Sequence, residues 1–347
     1  MKMMKQKIII FKNDRVGDLV PSVPAINKII TQNSDKEIVL YLSEMNKTFY
    51  FLVKNENTQL KIVNFDLSIF EKIKIFFYLI KNKIEKVYIL SPKNFYFFLP
   101  LFFLKIKFFG LCINGVNGYR RPNFFFRKLL FKYVINDRET NKKRKIINQL
   151  YFELIDMNNN IEFNINLDIA KSEKLKKYLP NNYVILHYKK KLFDIFNWDI
   201  HGLENIINEL KNHYTNIVLI KDLKKDETNL IFRNKYKTFD FETNTFYNNK
   251  ANNNVTFFDN IESEDLYNAI KFSKKVIAFH GTITMIASLN KIPTLDLFYS
   301  EIIDDNKGPS LRNILYEFKP NYKGYNFIIP SKNIDKTLRK MRFAFQN

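Results

Sequence analysis

The most constraining feature of the chain is an abrupt change of pattern near its start. Lys7-Ile8-Ile9-Ile10-Phe11 is a short apolar run of strand length. The polar turn Lys12-Asn13-Asp14-Arg15-Val16-Gly17-Asp18 follows it, and then a helix candidate, Ser22 to Ile30, entered through Pro21. A strand, a polar turn with one glycine and a helix form the opening of an α/β unit, in which ligands bind beyond the carboxyl end of the strand. Gly17 is expected to let the backbone bend tightly there. Asp18 either projects a carboxylate into the crevice or caps the helix through its side-chain oxygen.

The same grammar continues. Strands are expected at Glu37–Leu42, Leu60–Val63, Val87–Leu90 and Ile106–Cys112, and helices at Met45–Val53, Ile69–Ile80 and Asn141–Asp156. Turn and breaker residues gather between 157 and 182, around a short alternating strand at Ile161–Leu167. The pattern then restarts. Strands are expected at Tyr183–His187, Ile217–Lys221, Val255–Phe258, Lys275–Phe279 and Thr294–Phe298. Helices are expected at Trp198–His213, Glu264–Phe272, Met285–Leu289 and, in the tail, Asp335–Phe345. Strand–helix alternation predicts parallel sheets covered on both faces. It divides the 347 residues into an α/β domain over 1–165, a second over 166–330 and a last helix over 331–347.

Composition narrows the partners. A formal charge of +21 invites a nucleic-acid reading. Lys, Asn, Ile, Phe and Tyr are all abundant while Gly and Pro number only 8 and 10, a bias expected from an AT-rich genome along the whole chain. No RNA-binding or zinc signature accompanies the charge, so no nucleic-acid partner is expected, and what basic character remains favours phosphates or acidic headgroups. Cys112 is the only cysteine, which excludes an internal disulfide. The apolar run after the basic N-terminus is too short for a signal-peptide core, so a cytoplasmic location is expected. Phe95 to Phe109 is strongly aromatic, but Pro100, Lys105 and Lys107 interrupt it well short of the roughly 20 residues of a membrane span. Two readings stay open for it: buried core, or a surface dipping into a bilayer interface. The second is helped by Arg120, Arg121 and the mixed aromatic and basic segment Phe124–Tyr133.

Chemistry points to phosphate handling. His280-Gly281-Thr282-Ile283-Thr284 is a turn opening a helix, where unpaired amide N–H groups and the macrodipole favour an anion. Thr282 and Thr284 would add hydroxyl donors, or Thr282 would simply cap the helix. Lys189-Lys190-Lys191 lies in the exit loop of another strand and is either solvated surface or a countercharge for phosphate. Trp198, the single tryptophan, reads as a packing residue. The four histidines show no paired ligand spacing, and no glycine-rich phosphate loop or serine elbow is present.

Together these stretches resemble glycosyltransferase family 9, the ADP-heptose:lipopolysaccharide heptosyltransferases. Ile8 to Lys12, Arg15 to Val20 and Pro24-Ala25 are similar to the family's opening strand, Gly-Asp turn and Pro-Ala helix. Ala278 to Ser288, with Pro293, is similar to its donor-binding turn and helix. The resemblance implies a GT-B architecture, two Rossmann-like domains facing across a cleft with the last helix crossing back. It implies inverting, metal-independent transfer with no cofactor, from a nucleotide sugar such as ADP-heptose to a lipid-linked glycan acceptor at the inner face of a membrane. On it, Asp18 is the general base, and Asn13, Arg15 and Gly17 belong to the acceptor-side loop. The residues His280, Gly281, Thr282 and Thr284, with Lys189, Lys190 and Lys191, hold the donor diphosphate. The chain departs from the family where Asp-Thr-Gly and a later His are usual: His280-Gly281-Thr282 and Met285 stand there. Phe196 and Asn197, not a basic residue, precede Trp198, and Lys221-Asp222-Leu223 replaces a glycine-rich strand exit.

Overall fold

The computed structural model describes residues 5–114, 125–136, 145–157, 165, 167–222, 226–248, 254–299 and 317–346. The chain divides into two compact units, residues 1–167 with 301–319 and residues 168–300 with 320–347.

The first unit is built on one parallel sheet of β1 (Lys7–Lys12), β2 (Glu37–Ser43), β3 (Thr58–Val63), β4 (Ile84–Ile89), β5 (Lys107–Ile113) and β6 (Lys132–Asn136), in the order β3-β2-β1-β4-β5-β6. The direction of strand addition reverses between β1 and β4, which makes this the switch point of the sheet. Ile8, Ile9, Ile10 and Phe11 are all fully buried, as a central strand covered on both faces requires. The helices are α1 (Val16–Leu19), α2 (Val23–Gln32), α3 (Glu44–Lys47), α4 (Ile69–Lys81), α5 (Asn94–Phe98) and α6 (Ile147–Leu154). The α2 helix drives Val23, Ile26, Ile29 and Ile30 into the core. A reciprocal cap opens α4: Glu71 N donates to Ser68 Oγ, and Ser68 N donates to Glu71 Oε2 at 2.8 Å. That helix buries only Ile75 and Leu79 fully. The α5 helix contributes Tyr96, whose ring stacks on Phe11 at 3.9 Å.

The second unit carries β7 (Tyr183–Tyr188), β8 (Asn216–Lys221), β9 (Lys237–Asp240), β10 (Thr245–Tyr247), β11 (Val255–Asp259), β12 (Lys275–Phe279), β13 (Thr294–Leu297) and β14 (Tyr325–Ile328). Their order is β10-β9-β11-β8-β7-β12-β13-β14, parallel except for the β9–β10 hairpin, with the switch point between β7 and β12. Its helices are α7 (Ile169–Lys176), α8 (Lys190–Phe196), α9 (Ile200–Lys211), α10 (Glu227–Lys235), α11 (Ser263–Phe272), α12 (Thr282–Leu289) and α13 (Ile334–Gln346). Trp198 packs against Phe193, Phe196 and Phe279, and its indole N–H donates to the carbonyls of Ser331 and Lys332.

The structure departs from the sequence expectations in instructive places. Gly17 does not make the bend. It sits inside α1 without a positive φ, because the helix begins at Val16, two residues before Asp18. The aromatic and basic stretch near 124–133 is not one amphipathic helix: a 3-10 turn at Phe126–Leu129 runs into the edge strand β6. Lys190 and Lys191 open α8 instead of lying in a loop. The polar region before Val255 holds α10, β9 and β10, whose few apolar residues are concealed among Asn, Lys and Thr. Glu317 belongs to the first unit, where its Oε1 accepts from Asn136 Nδ2 at 2.8 Å, so the 166–330 domain is interrupted. The last helix packs within the second unit, with Met341 buried in its core and Arg342 Nε donating to Glu209. Arg120, Arg121, Phe124 and most of the 161–167 strand lie outside the described residues.

Gly110 on β5 tests the packing of the first sheet. A Cβ there would meet Leu130 Cδ1 at 2.7 Å and the Phe97 ring at 3.2 Å. Gly110→Val is expected to cost about 1–3 kcal/mol by overpacking. A urea titration should show a lower midpoint with an unchanged slope.

Candidate functional site

The carboxyl ends of β1 and β4 meet at the first switch point, and the turn after β1 is clamped there. Asn46 Nδ2 donates to the Lys12 carbonyl at 3.0 Å, and Ser43 Oγ donates to the Asp14 carbonyl at 2.7 Å. Asn13 is fully buried. Its amide donates to the Asn64 carbonyl at 2.9 Å while its Oδ1 accepts from Tyr96 OH at 2.9 Å. The Asn13 side chain therefore ties β1 to the β3 exit and to α5, and is a brace where an acceptor contact was expected.

Lys12 ends β1 as a fully buried lysine. Its ammonium donates to Asp14 Oδ2 at 2.7 Å and to Tyr151 OH at 2.6 Å, from the α6 helix. Burial alone would strip its proton, but Asp14, Tyr151 and Asp18 outweigh that and hold the amine charged above the ordinary lysine value. Asp18 faces this pair from the first turn of α1. Arg15, not Asp18, occupies the N-cap position, and it is exposed. Among the described residues the Asp18 carboxylate accepts no hydrogen bond. Burial raises its pKa, with the Asp14 charge adding to the rise and Lys12 and Arg15 opposing it. A half-exposed carboxylate with a raised pKa at a sheet switch point is suited to taking a proton from a bound hydroxyl.

The second switch point lies between β7 and β12. Their pairing runs from Lys275 beside Val184 to Ile277 beside Leu186. Gly281 is the N-cap of α12 at φ +155, with open space where a Cβ would stand, and no side chain caps the helix. Thr282 is half-exposed at the first helical position. Thr284 is turned inward: it is fully buried and its hydroxyl faces the Phe279 carbonyl at 3.5 Å. It cannot serve as a diphosphate donor, because the third residue of the helix lies on the face packed against the sheet. Among the three lysines, Lys190 pairs with Asp194 and Glu227, and Lys189 holds the N-cap position of α8.

Neither network of acids behind these turns was visible in the sequence. His280 Nδ1 meets Asp296 Oδ2 at 2.6 Å, and Tyr325 OH donates to the same oxygen at 2.7 Å. Asp296 is fully buried and its Oδ1 has no partner among the described residues. His187 Nε2 meets Asp222 Oδ1 at 3.2 Å at the exits of β7 and β8. Burial pushes the Asp222 pKa up, but His187, Lys189 and Lys221 prevail and leave it lowered. A cavity of about 290 Å³ opens beside Asp222, floored by Lys221, Asn229, Phe258 and Asp259. The available signal was a polar residue inside an apolar strand: Lys12 in β1 and Asp296 in β13. Among the described residues no group of three or more His, Cys, Asp or Glu is placed to hold a metal ion.

Two measurements follow from the Lys12 network. Lys12→Met leaves the half-buried Asp14 carboxylate without its cation and is expected to lose about 3–5 kcal/mol in a urea titration. Asp14→Asn removes a repelling charge, so the Asp18 midpoint, followed by carboxyl carbon NMR, should fall toward the ordinary aspartate value. Asp18 also has a stability signature. Its folded pKa is raised, so the folded state holds more protons than the unfolded one above about pH 4. Stability is therefore fully present below that pH and is lost as pH rises through the folded pKa. Asp18→Asn should melt higher than the parent at pH 7, with the gain vanishing below about pH 4.

No protein-family model matches the sequence, and no curated protein matches it. The fold is nevertheless shared with solved structures. A glycosyl transferase family 9 protein from Veillonella parvula superposes with a TM-score of 0.63 at 14% identity, covering 98% of this chain and 92% of that one. The E. coli ADP-heptose lipopolysaccharide heptosyltransferase II gives 0.60 at 12%, covering 97% and 98%. The E. coli heptosyltransferase WaaC, solved with ADP, gives 0.58 at 11%, covering 98% and 99%. The two parallel-sheet units of this chain thus make up a GT-B fold like that of the family 9 glycosyltransferases.

Proposed function

We propose that the protein is an inverting, metal-independent glycosyltransferase that moves a heptose or similar sugar from a nucleotide-sugar donor to a lipopolysaccharide core or related surface glycan. The observation that carries this reading is the placement of chemistry at both switch points: a carboxylate with no hydrogen bond from a described residue at one and an uncapped helix start at the other. The shared fold adds support, since relatives of that shape are named heptosyltransferases and one was solved with ADP.

The division of labour is as follows. Asp18 takes the proton of the acceptor hydroxyl as its oxygen attacks the anomeric carbon. The bond from that carbon to the diphosphate oxygen breaks, and the electron pair leaves with the nucleotide. Lys189 and the first N–H groups of α12 meet the developing charge. One displacement inverts the anomeric centre. The cavity beside Asp222 takes the nucleoside, with ADP the nucleotide favoured by the resemblance.

A second reading has one observation in its favour. Thr284 and Met285 are buried at the place where the family turn carries ligand-facing residues, so a protein that binds the donor or a polyanion without transferring sugar would look the same there. Asp18→Asn separates the two. On the transferase reading it keeps donor affinity and slows transfer about 10²–10⁴-fold. Turnover equal to the parent would refute the base assignment, and donor binding with no transfer in the parent would favour the second reading. Lys189→Ala is expected to weaken donor binding roughly tenfold, about 1.4 kcal/mol, in calorimetric titration. A thermal-shift panel of nucleotide sugars should single out the donor by the rise in melting temperature.

A further inference from the structure

The first unit carries a large apolar surface that no part of the described chain covers. The α4 helix is apolar on two faces. One face buries Ile75 and Leu79 against the sheet. The other presents Ile69, Phe70, Ile73, Phe77 and Ile80 to solvent, with Phe70 76% exposed. These five recur at helical spacing and share roughly 100° of arc, opposite the buried pair. A contiguous apolar stripe facing outward marks an interaction surface.

The surface extends beyond α4. Phe76 meets Phe102 at 5.5 Å and Phe103 at 5.1 Å, which joins α4 to the turn after α5. Phe98 meets Phe126 at 4.5 Å, which joins α5 to the 3-10 turn before β6. Along this band Phe102, Leu104 (86% exposed), Phe125 and Phe131 stand out from turns and strand edges.

The charges around the band are nearly all positive. Between Ile69 and Phe109 the acidic residues are Glu71 and Glu85, against eight lysines. Glu71 is engaged in its cap, and Glu85 is paired with Lys36 and Lys86. Lys74 and Lys81 flank the outer stripe of α4, and Lys105, Lys107 and Lys128 punctuate the rest. Lys107 lays its chain across the Phe131 ring, with the ammonium 5.0 Å from the centroid. Protein interfaces are depleted in lysine. An anionic bilayer surface attracts it, while the interface accepts projecting Phe, Leu and Ile. No described helix is long and apolar enough to cross a membrane, so the contact lies in the interface plane.

We propose that this face of the first unit is a membrane-docking surface for anionic lipid, with α4 and the turns at 98–104 and 125–131 immersed at headgroup depth. The proposal stands apart from the transferase reading, because it needs neither donor nor acceptor. The test is flotation of the full chain with vesicles of phosphatidylcholine alone or mixed with phosphatidylglycerol. The parent should float with the mixed vesicles and release as salt screens the lysines. A variant combining Phe70→Ser, Phe77→Ser and Leu104→Ser should lower the bound fraction roughly tenfold. These side chains are exposed, so its circular dichroism and melting should match the parent. A second variant, Lys74→Glu with Lys81→Glu and Lys105→Glu, should lose the preference for phosphatidylglycerol. A parent that stays unbound at low salt, or a serine variant that floats as well as the parent, overturns the proposal. So does concentration-dependent dimerisation without vesicles, abolished by the serine variant and unaccompanied by flotation, which would make the face an interface between copies.

Discussion

A parallel strand pair cannot be closed by a hairpin, and the rest of the architecture follows from that restriction. Each return of the chain must climb over the sheet, usually as a helix, so both faces are covered and the strands become continuously apolar. Ile8 to Phe11 and Tyr183 to Leu186 are buried residue after residue for this reason. The polar groups of the connections have only the sheet ends left to occupy. Where the direction of strand addition reverses, two neighbouring connections leave to opposite sides and a crevice opens. The turns after β1, β7 and β12 all border such points.

At the first crevice the design rests on a buried positive charge. Lys12 is fully buried and depends on Asp14 and Tyr151 around its ammonium. That arrangement brings a second carboxylate, Asp18, into the same field. Lys12 and Asp14 act on Asp18 in opposite directions, and burial tips the balance toward the protonated form. Such a group lowers the stability of the fold at neutral pH, a cost that is common where a reactive group is retained. The second crevice is backed by polar pairs of its own: buried Asp296 meets His280, and His187 meets Asp222.

Much of the fold was legible in the sequence because central parallel strands are short, apolar and bounded by turn residues. The strands β1, β2, β7, β8 and β12 fall where the pattern placed them, within a residue or two. The edge elements did not announce themselves. In β6 and β10 one face is wet, so polar residues dilute the pattern; in buried β9 the residues Lys237, Thr238 and Asp240 hide it; and in 124–133 a mixture of Phe and Lys fits a helix and an edge strand equally well. The turn containing Asp18 could be found from its neighbours, but not that Gly17 is helical or that Asn13 is a brace. Those facts depend on Asn64, Tyr96 and Asn46, which are remote in sequence.

The sequence by itself determined the alternation of strands and helices, the restart of that alternation in a second unit, and the three turns where polar residues must collect, because those are properties of local period and propensity. Only the tertiary structure decided which polar side chains face each other. Burial, pairing and the pKa shifts that follow depend on groups brought together from distant segments, as Lys12 meets Tyr151 and Asp296 meets Tyr325. The same holds for the outer face of α4: its spacing marks a helix, but spacing cannot say which of two apolar stripes the sheet will cover and which it will leave exposed.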